Sequence, residues 1–277
     1  MKLYVVGTPL GNLSDWSPRA AETLQQADFI AAEDTRVTMK LLNFLGLKKP
    51  LVSYHEHNKH ESGPRILSRI AAGECCALVT DAGMPAISDP GEELIRAAHE
   101  AHVAVESVPG PTAFATALAV SGMPSKRFCF EGFLSQNKSE RRAHLDELRT
   151  ETRTMLFYEA PHKLKKTLAD LCEVFGQERP VALVRELTKL HEQTLRMTLG
   201  EACDYYTEET PPRGEFVIIV GGKPLQEESQ ASADPNAALA LAKQLQAQGL
   251  SASAAAKEAA RQTGCKKGEI YKLLTED

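Results

Sequence analysis

The sequence has few aromatic residues and no long hydrophobic run. Of its 277 residues, 6% are aromatic, 43% are hydrophobic and 25% are charged. This composition is ordinary for a globular protein and excludes collagenous and disordered chains. The most apolar segment, residues 113–120, has only the length of a core helix, whereas a bilayer span needs roughly 20 apolar residues. At about 150 residues per domain, the length predicts two domains.

The sequence also lacks a C-x-x-C motif and a recognisable secretory leader. Its six cysteines are scattered and include no C-x-x-C pair, which is typical of a protein in a reducing compartment. Near the N-terminus only Leu3–Val6 is continuously apolar before Gly7, and this run is too short for a signal peptide. We therefore expect a cytoplasmic protein that does not associate with membranes.

The net charge of −5 hides an uneven distribution. Residues 126–166 contain ten Lys or Arg against six Asp or Glu, and residues 236–277 contain six against four. The basic surplus in the second half weakly favours a polyanionic partner, although a solvated surface has the same pattern. If that partner is RNA, Arg141 and Arg142 are candidates for phosphate contacts.

Strand-like and helix-like segments alternate from residue 2 to 120. This alternation predicts βαβ units, and hence an α/β fold with a mostly parallel sheet. The pattern resumes after a break at residues 122–124, with more antiparallel character expected up to residue 222. We predict α/β domains at 1–123 and 124–222.

The rest of the chain differs in composition. Residues 223–235 have the polar composition of a linker, and residues 236–277 predict three short helices that resemble a helix-turn-helix. This helical module either binds a nucleic acid through its last helix or serves as a small packing or dimerisation appendage, and its own sequence favours neither.

Three loops rich in Gly and Pro each follow a predicted strand: GTPLGN at residues 7–12, TDAGMPAISDPG at 80–91 and VPGPTA at 108–113. The carboxyl ends of parallel strands meet at one sheet edge, where open α/β sheets bind their ligands. We therefore expect the three loops to converge on one ligand site.

The second loop contains two aspartates with different predicted roles. Asp81 directly follows a strand and has no evident capping role, so we assign its carboxylate to ligand binding. Asp89 precedes Pro90 and Glu92 in the pattern of a helix N-cap with a capping box. We therefore expect Asp89 to cap the following helix.

The motifs GTPLGN, DAGMPAISDPG, PGPTA, FYEAPHK and GEFVIIV, in this order, resemble the tetrapyrrole-methylase-like class of S-adenosylmethionine-dependent methyltransferases. The segments AEDTR, YHEHN and RELTK resemble a subfamily that methylates the ribose 2′-hydroxyl of a cytidine in the decoding region of small-subunit (16S) ribosomal RNA. The resemblance extends from residue 2 to about 222, and the helical tail is similar as well. It implies two αβα domains with S-adenosyl-L-methionine in the cleft between them, a homodimer, and small ribosomal subunit RNA rather than DNA as the partner.

The resemblance also implies site residues. The implied cofactor contacts are Leu10, Asp81, Met84, Thr112, Ala113, Tyr158, Leu187, Gly214 and Glu215. A ribose hydroxyl is a weak nucleophile, so a nearby base would help. Four residues are catalytic candidates by residue type, and the sequence does not rank them: His57, Glu33, Asp34 and Lys163.

The histidines at positions 55, 57 and 60 contain the residue types of a metal site. His60 is expected to lie in a loop beyond reach of the other two, and the resemblance implies no metal. We therefore predict no metal centre.

Three functions remain open at this point. The first is ribosomal RNA 2′-O-methylation, and the second is methylation of a tetrapyrrole or other small molecule by the same fold. The third is nucleic-acid binding without catalysis, which leaves the three convergent loops without a purpose. The basic second half and the helical tail favour RNA.

Overall fold

The computed structural model describes residues 1–224 and 235–275. It divides into two compact units, Met1–Lys223 and Pro224–Asp277. Most of the predicted linker at 223–235 lies outside the described residues.

The first sheet consists of five short parallel strands. They are β1 (Lys2–Val6), β2 (Phe29–Ala32), β3 (Leu51–Ser53), β4 (Cys75–Val79) and β5 (Val105–Val108), in the order β3-β2-β4-β1-β5. The connecting helices are α1 (Pro18–Gln26), α2 (Thr35–Phe44), α3 (Lys59–Ala71) and α4 (Glu92–Glu100). Helix α1 begins where the sequence favours it, since Ser17 accepts a hydrogen bond from the Ala20 amide and Pro18 occupies the first helical position.

Helices cover both faces of this sheet. Successive strand residues point to opposite faces, so Phe29 packs into a core with Ile66 and Leu94 of α3 and α4. Its neighbour Ile30 packs into the other core with Leu24 of α1. The predicted α/β fold is therefore confirmed.

The second sheet is mixed, as the sequence indicated. Its strands are β6 (Phe128–Phe133), β7 (Thr154–Glu159), β8 (Pro180–Arg185), β9 (Gln193–Thr198) and β10 (Phe216–Val220), in the order β6-β7-β10-β8-β9. Only β6 and β7 pair in parallel. The helices here are α5 (Ala113–Ser121), α6 (Lys138–Glu147), α7 (Pro161–Phe175) and α8 (Leu199–Tyr205).

Helix α5 packs on the second sheet although it precedes residue 123. Its buried residues Ala117 and Leu118 share a core with Leu156, Val217 and Ile219 of β7 and β10. The chain therefore passes from the first sheet to the second within the loop before α5, and that loop lies between the two sheets.

The C-terminal unit contains α9 (Pro235–Ala247), α10 (Ala252–Thr263) and α11 (Lys267–Thr275). These helices share a small core that includes Ala238, Ala256 and Ile270. Helix α10 is capped by Ser251 and ends at Gly264, whose φ of 73° is left-handed. Among the described residues, no helix combines the length and hydropathy that a bilayer span requires.

Candidate active site

The three Gly- and Pro-rich loops converge at the carboxyl edge of the first sheet, as predicted. Thr8 and Gly83 exchange two backbone hydrogen bonds of 2.9 and 3.1 Å, and the Thr8 hydroxyl donates to the Thr80 carbonyl at 3.1 Å. A Cβ on Gly7 would lie 2.6 Å from the Cα of Gly110. Only glycine permits this close crossing of the first and third loops.

A cavity of about 400 Å³, here called the cleft cavity, opens where these loops face the second sheet. Its size is typical of small-molecule sites. Most of its wall is apolar, and three carboxylates also line it: Asp89, Glu159 and Glu215. Such a cavity suits a ligand that combines an apolar ring with positive charge.

Tyr158 forms part of the cleft wall and is held in place from several sides. Its hydroxyl accepts a hydrogen bond from the Phe114 amide at 2.9 Å. The rings of Phe130 and Phe133 contact it edge-on at centroid distances of 4.8 and 5.4 Å. Burial raises the pKa of Tyr158 to about 12, so the side chain is neutral and acts as a fixed aromatic surface.

The structure brings five of the nine implied cofactor residues together in the cleft cavity: Leu10, Ala113, Tyr158, Leu187 and Glu215. Asp81 instead lines an adjoining cavity of about 250 Å³, which also contacts Leu10.

The other three implied residues lie outside both cavity linings. The Met84 sulfur lies beneath the loop crossing, 2.7 Å from the position of a Cβ on Gly7. Thr112 precedes α5, but its side chain makes no capping hydrogen bond. Gly214 has a left-handed φ of 81° and packs directly against the side chain of Glu186.

A third cavity of about 420 Å³, here called the carboxylate cavity, adjoins the cleft cavity and shares Ser88 and Asp89 with it. Its remaining lining residues are Glu33, His55, Glu56, His57 and Pro90. The rings of His55 and His57 lie 6.0 Å apart.

The expectation that His60 lies in a loop was wrong, because α3 already begins at Lys59. Its Nδ1 lies 3.8 Å from a carboxylate oxygen of Glu93. Within residues 1–224 and 235–275, no group of three or more His, Cys, Asp or Glu is arranged to hold a metal ion.

The predicted capping role of Asp89 was also wrong. Helix α4 begins at Glu92, is preceded by Gly91 and has no side-chain cap. The loop instead turns sharply, since Ala86 and Ser88 both adopt left-handed φ values, 67° and 64°. Backbone strain of this kind is concentrated at functional sites. Here it occurs next to Asp89, which lines both the cleft cavity and the carboxylate cavity.

Asp89 has unusual electrostatic surroundings. Burial raises the pKa of its carboxyl to about 7, and the negative charges of Glu33 and Asp81 contribute to the rise. The sequence does not indicate this role, because Pro90 and Glu92 occupy the positions of a capping motif and so account for Asp89 without a ligand. A second acidic residue in the same irregular loop was the signal that could have identified it.

The catalytic candidates from the sequence are only partly brought together. Glu33 and His57 line the carboxylate cavity, and burial raises the pKa of Glu33. Asp34 caps α2 and pairs with Arg36 at 2.6 Å, which lowers the pKa of Asp34 to about 2. Lys163 lines a separate cavity on the second sheet.

Asp81 is tied to the first of these candidates through the backbone. Its amide donates to Glu33 at 3.4 Å, and its carboxylate accepts from the Asp34 amide at 3.2 Å. Burial raises the pKa of Asp81 as well. The three carboxylates of Glu33, Asp81 and Asp89 therefore interact electrostatically.

Residues 2–203 match the family model of the tetrapyrrole (corrin/porphyrin) methylases. The chain belongs to this methylase family. A protein from Synechocystis named ribosomal RNA small subunit methyltransferase I is 46% identical over 274 residues, which cover 99% of this chain and 97% of that protein. A protein of the same name from Escherichia coli O157:H7 is 44% identical over 276 residues, covering 99% and 95%. Within the methylase family, the chain thus groups with the ribosomal RNA small subunit methyltransferase I proteins.

Solved structures of methylases share the fold at low sequence identity. The cobalt precorrin-4 methyltransferase CbiF superposes with a TM-score of 0.59 at 21% identity, covering 79% of this chain and 94% of CbiF. Uroporphyrin-III C-methyltransferase from Thermus thermophilus, complexed with S-adenosyl homocysteine, gives a TM-score of 0.57 at 19% identity, covering 80% and 97%. At these identities the similarity concerns the fold alone.

Proposed function

We propose that this chain transfers a methyl group from S-adenosylmethionine to a ribose 2′-hydroxyl of small-subunit ribosomal RNA. The observation that carries the proposal is the similarity, over 99% of the chain, to proteins named ribosomal RNA small subunit methyltransferase I. The resemblance of its motifs to the subfamily described above implies a cytidine in the decoding region as the target, and we propose this nucleotide.

The cleft cavity fits S-adenosylmethionine chemically. The apolar walls at Leu10, Ala113 and Leu187 suit the adenosine, and the carboxylate of Glu215 suits a ligand with a sulfonium and an ammonium group. One structural neighbour was solved with the demethylated form of this cofactor. Asp81, Met84, Thr112 and Gly214 complete the set of residues that we propose to contact or shape the cofactor site, with Tyr158 at its wall.

When bound, S-adenosylmethionine supplies the methyl group and retains the electron pair of the broken carbon–sulfur bond. The ribose oxygen loses a proton as it attacks, and we assign that proton to the carboxylate of Asp89. Asp89 lines both the cleft cavity and the carboxylate cavity, so it can contact a nucleotide held between them. A base whose pKa is near the working pH is both ionised and able to bind the proton.

The neighbouring groups adjust this base rather than replace it. Glu33 and Asp81 repel negative charge on Asp89 and so raise its proton affinity. His57 faces the carboxylate cavity, where it can donate a hydrogen bond to the nucleotide. Asp34 orients α2 through its capping bond to the Arg36 amide.

We propose that the protein acts in the cytoplasm as a homodimer. Helix α5 exposes Ala115, Ala119 and Val120, and Phe128 is exposed beside Phe114. Exposed apolar residues grouped in this way are typical of a protein interface. The C-terminal helical unit would then be present twice for each substrate.

Two measurements test the proposed function. Calorimetry is expected to detect S-adenosylmethionine binding, which a purely nucleic-acid-binding protein would lack. Transfer of a labelled methyl group is then compared between small-subunit particles, naked small-subunit RNA and an isolated hairpin. We expect transfer to be fastest on particles, because RNA recognition relies on shape as well as local sequence. Equal rates on all three would contradict this extended recognition.

A further inference from the structure

A cavity of about 140 Å³ lies beside the cleft cavity, at the carboxyl ends of the parallel strands β6 and β7. We call it the basic cavity. Its lining comprises Leu134, Ser135, Gln136, Arg141, Glu159, Lys163, Lys166 and Thr167. Glu159 lines both cavities, and Phe133 of the cleft wall directly precedes Leu134. An RNA with one nucleotide bound in the cleft cavity could therefore reach the basic cavity with a neighbouring nucleotide.

Two lysines line the basic cavity. Lys163 and Lys166 lie three residues apart on α7, and side chains at this spacing share one helix face. Among the described residues, neither has a carboxylate oxygen within ion-pair distance. Lys165, between them in sequence, pairs instead with Glu208 at 3.4 Å and does not line the cavity.

Arg141 also lines the basic cavity. It is only 5% exposed, and its Nε donates to Asp170 at 2.6 Å. Its Nη1 donates to the carbonyl groups of Ser135 and Gln136, at 3.0 and 3.3 Å. Its Nη2 is buried and has no hydrogen-bond partner, which is rare for a guanidinium nitrogen in a folded protein.

The carboxylates of Glu159 and Asp170, near this cavity, accept hydrogen bonds from groups other than the two lysines. Glu159 accepts from the Ala160 amide at 2.9 Å and from the Thr167 hydroxyl at 2.6 Å, and Asp170 is paired with Arg141. The N-terminus of α7, which no side chain caps, adjoins the same site. The helix dipole adds positive potential there.

We propose that the basic cavity binds one backbone phosphate of the RNA substrate, next to the nucleotide that is methylated. This inference rests on the proposed function. A phosphate group bound in this cavity would place negative charge beside both Lys163 and Lys166. Its oxygens would also provide hydrogen-bond acceptors near Arg141. The proposal gives Lys163 a role in RNA binding, which is consistent with its position in the basic cavity rather than in the carboxylate cavity.

The test compares the double variant Lys163→Gln/Lys166→Gln with the control Lys165→Gln on the same helix. RNA affinity is measured on small-subunit RNA over a range of salt concentrations, and S-adenosylmethionine affinity is measured by calorimetry. Losing one phosphate contact is expected to reduce the slope of log affinity against log salt by about 0.7 to 0.9. We expect KM for RNA to rise roughly tenfold at low salt, with kcat and cofactor affinity unchanged, and the control to match the wild type.

Wild-type RNA affinity and salt slope in the double variant would overturn the phosphate site. A fall in kcat with unchanged KM would instead make Lys163 part of the chemistry and would also overturn it. Failure of the proposed function is a separate result, because the wild-type protein would then transfer no methyl group to ribosomal RNA.

Discussion

Replacing Asp89 with Asn removes the proposed proton acceptor while preserving its shape. General base catalysis typically contributes a factor of 10² to 10⁴ to the rate. We therefore expect the rate constant of methyl transfer, measured in single-turnover experiments, to fall by roughly 100-fold or more. Because the pKa of Asp89 is raised to about 7, the wild-type rate is expected to increase with pH up to about 7 and then level off. The Asn variant is expected to lose this dependence.

The substitution Asp89→Asn is expected to lower the catalytic rate but to increase the free energy of unfolding. A carboxyl whose pKa is raised from 3.8 to about 7 binds more protons folded than unfolded, so its contribution to the free energy of unfolding decreases as pH rises from about 4 to about 7. Because Asp89 is only partly buried, solvent screening keeps this contribution well below the roughly 4 kcal/mol that the full shift would represent. We expect Asp89→Asn to be more stable than the wild type near pH 8, and the difference to shrink as the pH falls.

The control for both measurements is Asp204→Asn, an exposed residue of α8 that lines none of the cavities described above. It is expected to match the wild type in rate and stability. The reasoning about Asp89 is refuted if Asp89→Asn retains a rate within about threefold of wild type with the same pH profile. A variant that is inactive because it has lost cofactor affinity would also contradict the base assignment.

Four further variants test other parts of the account. Asp81→Ala is expected to weaken S-adenosylmethionine binding about tenfold by calorimetry without lowering the melting temperature, and unchanged affinity would contradict its role. Tyr158→Phe removes the hydroxyl that accepts a hydrogen bond from the Phe114 amide. It is expected to lower the free energy of unfolding by about 1 kcal/mol, measured by chemical denaturation. Val120→Glu is expected to convert a dimer to a monomer in light scattering, whereas an unchanged mass would place the interface elsewhere. Removing residues 224–277 is expected to reduce affinity for ribosomal RNA but spare cofactor binding, and wild-type methyl transfer would show that the helical unit is only structural.

Much of the fold could be predicted from the sequence because the signals are local. Short apolar runs such as Phe29–Ala32 and Phe216–Val220 form buried strands, and the Gly and Pro loops that follow the strands meet at one edge. Long-range packing was not predictable in the same way. Helix α5 is apolar on every side, so its sequence does not indicate that it packs on the second sheet.

The candidate site was predictable only where one loop carries the information. Asp81 follows a strand without a capping role, so its position predicts ligand binding, whereas Asp89 fits a capping pattern that predicts a structural role. Its role depends on the left-handed residues Ala86 and Ser88, which no residue-type preference indicates. The basic cavity could not be predicted from the sequence either. Arg141 and Lys163 are 22 positions apart in the chain, and they come together only through the packing of α6 and α7.

The proposed reaction has a product that can be identified directly. The full chain is incubated with S-adenosylmethionine carrying a labelled methyl group and with small-subunit particles, and a porphyrinogen is tested in parallel. The RNA is then digested to nucleosides and separated. We expect the label in 2′-O-methylcytidine from the decoding region and none in the porphyrinogen. Label in a base, in another nucleoside or only in the porphyrinogen would contradict the proposed function.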